Sequence, residues 1–85
     1  MANELVEQTV TRAVQRAYED WATEHPSLAA VIDRLTVTQR TAESLRTSQE
    51  FRDAVAGFHR GSGELELLNK LVDLAGPILT NLLGL

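Results

Sequence analysis

The segment from Glu64 to Leu83 constrains the fold more than any other part of the chain. At 100° per residue, Leu65, Leu67, Leu68, Leu71, Val72, Leu74, Ala75, Ile78, Leu79 and Leu82 sweep about half of a helical wheel. Glu66, Asn69, Lys70, Asp73, Thr80 and Asn81 fill the other half, with only Glu64 out of place. A helix at the edge of a small domain shows an apolar stripe little more than 100° wide. A half-circle of leucine therefore needs cover from more than one neighbour. Nine of the 13 leucines lie in residues 64–85, and aromatic residues make up only 5% of the chain, so the core that supplies this cover is aliphatic.

Gly76-Pro77 interrupts the segment, because proline lacks a backbone donor and its ring clashes with the carbonyl four residues back. The apolar phase nevertheless continues across the dipeptide. That continuity predicts a helix kinked at Gly76 and Pro77, or two short collinear helices.

Three further helices are expected upstream. From Asn3 to Glu24, Val6, Val10, Ala13, Val14, Ala17, Tyr18 and Trp21 share one arc, with Glu4, Gln8, Arg12, Gln15 and Glu19 opposite. Asn3 is the expected N-cap, and His25-Pro26 ends the helix because the residue before proline is pushed out of the α region. A second helix is expected from Leu28 to about Arg46, with two pieces broken near β-branched Thr36-Val37-Thr38 as the alternative; it presents Leu28, Val31, Ile32, Leu35 and Ala42 on one face, with Leu45 at the edge and Gln39 inside it. Thr47-Ser48-Gln49-Glu50 fits a capping box, and opens a third helix to His59 or Arg60 that buries Phe51, Ala54, Val55 and Phe58. Gly61-Ser62-Gly63 reads as a hinge, with Ser62 a candidate cap for the C-terminal helix.

The expected fold is all-α: a small bundle of three amphipathic helices plus a kinked, Leu-rich C-terminal helix. It forms a single domain, as 85 residues suggest, with a three-helix part over residues 1–60, a hinge over 61–63 and an association helix over 64–85.

Composition narrows the function. The chain has no cysteine, which excludes disulfides, thiolate metal sites and cysteine nucleophiles. Its two histidines, His25 and His59, stand in no metal-ligand spacing, and His59 suits the negative end of the third helix. Acidic pairs such as Glu19-Asp20 and Glu64/Glu66 read as solvated helix surface, and Gly61-Ser62-Gly63 lacks the lysine and strand of a phosphate loop. No catalytic residue, cofactor or metal is expected. The net charge of −4, with seven arginines and one lysine against 12 acids and no basic cluster, disfavours nucleic acid.

The best functional expectation is a non-enzymatic protein that works by association, with itself as a dimer or larger assembly, or as an adaptor for another helical protein. Its expected interface is Leu67, Leu71, Leu74, Ile78, Leu79 and Leu82, helped by Trp21, unless the last only seals the bundle end. The Gly61–Gly63 hinge would let the last helix pack on its own chain or on a neighbour's. A first alternative is a small dimeric DNA-binding regulator using a helix-turn-helix-like segment over 38–60, with Gln49, Arg52 and Arg60 on its second helix. A second is peripheral membrane association through residues 76–85, which carry no charged side chain. The polar start Met1–Glu7 resembles no leader, and the expected location is cytoplasmic.

Overall fold

A computed structural model of the protein describes the backbone of residues 2–84 and the side chains of residues 4–84. Five helices and, among the described residues, no strand make up the fold: α1 Ala2–Glu24, α2 Pro26–Ala29, α3 Arg34–Thr47, α4 Gln49–His59 and α5 Glu64–Leu82. The bundle is elongated, 41 × 19 × 18 Å. Its long axis is set by α1, whose 23 residues extend about 35 Å at 1.5 Å per residue. α1 and α5 form the longest contact, α3 packs across both, and α4 lies against α5 and α3.

One core cluster joins Val6, Val10, Ala13, Val14 and Ala17 of α1 to Leu45, Ala54, Leu67, Leu71 and Ala75. Ala13, Ala17 and Ala75 are small enough to let α1 and α5 approach closely, so Val10, Leu67 and Leu71 are fully enclosed. A second cluster closes one end of the bundle: Tyr18, Trp21, Val37 and Leu79, with Ala22, Ala29, Ile32 and Leu83 packed around them.

α1 ends at Glu24, as His25-Pro26 requires. Its start differs from expectation. The helix begins at Ala2, which places Asn3 within the first turn and not before it.

The expected second helix is two. α2 covers only four residues, the chain turns through Ala30–Asp33, and α3 starts at Arg34 with Asp33 as its N-cap residue. The break thus falls before Leu35 and not at the β-branched run. Asp33 explains its position: its backbone is extended, and its carboxylate accepts a 2.6 Å hydrogen bond from the Thr36 hydroxyl. With the phase reset, α3 buries Val37, Thr41 and Leu45. Thr41 can sit on that face because its hydroxyl donates to the Val37 carbonyl at 2.8 Å, leaving the methyl toward the core.

The expected capping box does not form: the N-cap falls one residue later, at Ser48, which puts Phe51 and not Glu50 at the third helical position. Thr47 is the last residue of α3, and its hydroxyl donates back to the Ser44 carbonyl. Ser48 is the single residue between α3 and α4, and its hydroxyl serves both helix ends. It donates to the Leu45 carbonyl at 2.8 Å and accepts from the Phe51 amide at 3.1 Å. Ser48→Ala is expected to cost about 1 kcal/mol, since it takes the side-chain acceptor from the Phe51 amide, whereas the Leu45 carbonyl keeps the Ser48 amide as donor. Urea unfolding measures this directly.

α4 ends in a Schellman motif. The Ser62 amide donates to the Gly57 carbonyl at 3.2 Å and the Gly61 amide to the Phe58 carbonyl at 3.0 Å, with Gly61 at φ +116°. The cap of α5 is Gly63 and not Ser62, so no side chain caps this helix. Two glycines a few residues apart therefore answer oppositely to alanine. At Gly57, in the last turn of α4, an added Cβ meets only the Ser62 Oγ at 3.8 Å and the Lys70 Nζ at 3.9 Å, ordinary contacts. Gly57→Ala is expected to stabilise by about 0.5–1 kcal/mol, and Gly61→Ala to destabilise by about 1 kcal/mol through its positive φ. Opposite shifts in melting temperature check the pair.

α5 runs without interruption through Gly76 and Pro77. Pro77 is exposed, on the side of the helix away from Leu67, Leu71, Ala75 and Leu79. The carbonyl left unpaired by its missing N–H is that of Asp73, also on the exposed side, where water can satisfy it. No described helix is long and apolar enough to cross a membrane.

Candidate interaction surface

The residues of the expected interface lie largely inside the protein. Leu67, Leu71 and Leu79 are buried against α1, α3 and α4, with Leu71 at 0% exposure. Trp21 is 7% exposed and belongs to the end cluster, so it seals the bundle rather than standing out as an anchor. Its ring stacks on His25, centroids 5.3 Å apart, and packs tilted against Tyr18 at 5.8 Å. The indole N–H has no hydrogen-bond partner among the described residues, a cost set against burial of the whole ring. Leu74 and Ile78 are half-buried at the edge of the core, and Leu82 is exposed. The centre of the half-circle of leucine is thus covered in cis by α1 and α3, and one flank by α4, while Leu65 and Leu82 at its two ends stay exposed.

The large aliphatic side chains that remain in solvent are elsewhere. Val31 is 81% exposed and Leu35 65%, with Leu28 also exposed, and all three belong to the corner where α2 turns into α3. Leu82 is at the same end of the bundle, since its neighbours Leu79 and Leu83 pack in the cluster that holds Ala29 and Ile32. Leu65, 68% exposed, stands alone at the start of α5. Leu28, Val31 and Leu35 were expected on a buried face. They are exposed because the Ala30–Asp33 turn hands the core-facing role of α3 to Val37, Thr41 and Leu45.

Beside this corner runs a groove of about 490 Å³ between α1 and α3, walled by Thr11, Val14 and Gln15 on one side and Leu35, Thr38 and Ala42 on the other. Ion pairs hold the two helices on either side of it. Arg34 lies 3.6 Å from Glu19 and 5.3 Å from the centroid of the Tyr18 ring. Arg46 grips Glu7 through Nη2 at 2.8 Å and Nε at 3.0 Å. Both pairs are substantially exposed, so each contributes less than about 1 kcal/mol, and their effect is to fix the spacing of α1 and α3.

A second groove, of about 420 Å³, separates α1 from α5 beside Trp21, with Asp20, Glu24 and His25 on its α1 side and Val72 and Gly76 on its α5 side. Among the described residues no group of three or more His, Asp and Glu side chains converges to hold a metal ion.

Glu66 and Lys70, one turn apart on α5, pair at 4.0 Å. In the segment considered for nucleic acid, Gln49, Arg52 and Arg60 are exposed on α4 and at its end, but so are Glu50 and Asp53, and Gln49 Nε2 donates to Asp53 Oδ1 at 3.0 Å. A phosphate approaching that surface meets two carboxylates. Comparison with family models, curated proteins and solved structures finds no match to this chain.

Proposed function

We propose that the chain is a non-enzymatic helical interaction protein whose principal partner is a second copy of itself. The observation that carries this reading is the corner of Leu28, Val31 and Leu35. Three large aliphatic side chains stand in solvent there, beside an open groove, although the rest of the chain has covered an unusually wide leucine face internally. Contiguous exposed apolar surface of this kind favours association. The groove walls support the same reading. They are threonine, glutamine and aliphatic side chains with one Glu43 and one Arg46, groups suited to packing and hydrogen bonding more than to bond making.

Association therefore moves from the centre of α5 to the α2–α3 corner, with exposed Leu82 and half-buried Ile78 and Leu74 at its margin or on the adjoining side of the bundle. A bend of α5 at Gly76-Pro77 belongs to this proposal as a local curvature on the exposed side of the helix, on which the core packing does not depend.

Light-scattering mass across a hundredfold concentration range tests the reading. One chain is 9.4 kDa. The mass is expected to rise to that of two chains, and Val31→Asp combined with Leu35→Asp to hold it at one chain with helicity unchanged. A wild-type mass fixed at one chain would overturn self-association.

A further inference from the structure

We infer that the groove between α1 and α5 beside Trp21 is a binding site for a small organic cation: a protonated amine on a flat apolar body that carries a hydroxyl or carbonyl. Its walls are two helix stripes. Ala17, Asp20, Trp21 and Glu24 recur on α1 at the spacing of one face, and Val72, Gly76 and Thr80 recur on α5 every four residues. The space between them is about 420 Å³, a size at which pockets hold small ligands.

Gly76 makes the recess. It stands between Val72 and Thr80 in the α5 wall, and an added Cβ there would meet no atom within 4 Å. On the α1 side, Trp21 and His25 stack with planes 19° apart, and both belong to the wall. Trp21 is only 7% exposed, yet its enclosed indole N–H has no partner among the described residues. Folds seldom leave a buried donor unpaired, and this one belongs to the wall of an open recess.

Charge selects the ligand class. Asp20 and Glu24 are exposed one turn apart in the α1 wall, and among the described residues neither forms an ion pair with arginine or lysine. No arginine or lysine lines the groove. Thr80 donates its hydroxyl proton to the Gly76 carbonyl at 3.0 Å, so its oxygen is left to accept. An ammonium group offers only donors, and indole is the strongest aromatic partner of a cation. An anion would meet two carboxylates and no counter-charge.

Trp21 is the only tryptophan, so its emission reads the site directly. The probes are tyramine and hydroxyphenylpropionate, which join the same hydroxyphenyl ring to an ammonium and to a carboxylate. With protein concentration held fixed, tyramine is expected to change the emission saturably, with Kd below about 1 mM, and hydroxyphenylpropionate to give no saturable change. Asp20→Asn combined with Glu24→Gln is expected to weaken tyramine at least tenfold with the melting temperature retained. Gly76→Leu fills the recess. It is made together with Pro77→Ala, because proline presses on the Cβ of the residue before it. The pair is expected to abolish the response that Pro77→Ala alone retains. Equal responses to the two probes, no saturable response to tyramine, or unchanged tyramine binding in either double variant would overturn the site.

Discussion

Leu71→Ala is expected to destabilise the fold by about 3–5 kcal/mol, the largest loss among single truncations on α5. Leu71 is fully enclosed, and it belongs to the cluster that joins α1, α3, α4 and α5, so no single helix can move to refill the space. The cost combines the lost transfer energy of the deleted atoms with the cavity left behind. For a domain of this size, a loss of that magnitude is a large part of the total stability, and the melting temperature should fall by more than about 12 °C. Leu65→Ala is the matched control. It removes the same atoms from the same helix at a site 68% exposed, and is expected to change stability by less than about 0.5 kcal/mol. Thermal or urea unfolding of the two variants side by side checks whether the leucine face is covered in cis. Equal effects would contradict it.

Pro77→Ala is expected to act in the other direction, stabilising by about 1–2 kcal/mol. Position 77 lies inside α5 and is exposed, so alanine adds no clash with the core and supplies the N–H that the Asp73 carbonyl lacks. The intrinsic difference between the residues in a helix interior is about 3 kcal/mol, reduced by the freedom that removing proline returns to the unfolded chain. Unfolding in urea reads the net change. A loss of stability would contradict this and would mean that proline at position 77 helps to seat Leu79 and Leu83 against Trp21 and Val37.

Much of the fold was legible in the residues. The helical class, the buried arc of α1 and the apolar phase carried across Pro77 stem from periodicity strong enough to dominate local propensity, and the end of α1 stems from the proline after His25. Residues 28–46 were not legible, for two reasons. Leu28, Val31, Ile32 and Leu35 are spaced as one helical face, although a turn separates Val31 from Leu35. The true core stripe, Val37, Thr41 and Leu45, is disguised by a threonine whose hydroxyl is satisfied within its own helix. Asp33 three residues before Thr36 was the available signal, a short polar side chain placed to start a helix.

The candidate surface lies elsewhere than expected for a related reason. A wide leucine face looks like excess apolar surface when its neighbours' Ala-rich stripes are judged by size. Small residues cover it better than that, because Ala13, Ala17 and Ala75 bring α1 and α5 close together. Trp21 illustrates the point from the other side. Its place at the end of a stripe fitted both an anchor and a seal, and only the packing of Tyr18, Val37, Leu79 and Leu83 around it distinguishes them.

Methyl NMR on dilution tests the central claim most directly: the C-terminal leucines belong to the chain's own core, and association uses the α2–α3 corner. Over a hundredfold change in concentration, the methyl signals of Leu28, Val31 and Leu35 are expected to move together along one binding curve. Those of Leu67, Leu71 and Leu79 are expected to stay in place. Movement of the α5 core methyls with the corner methyls fixed, or no movement anywhere, would contradict the account.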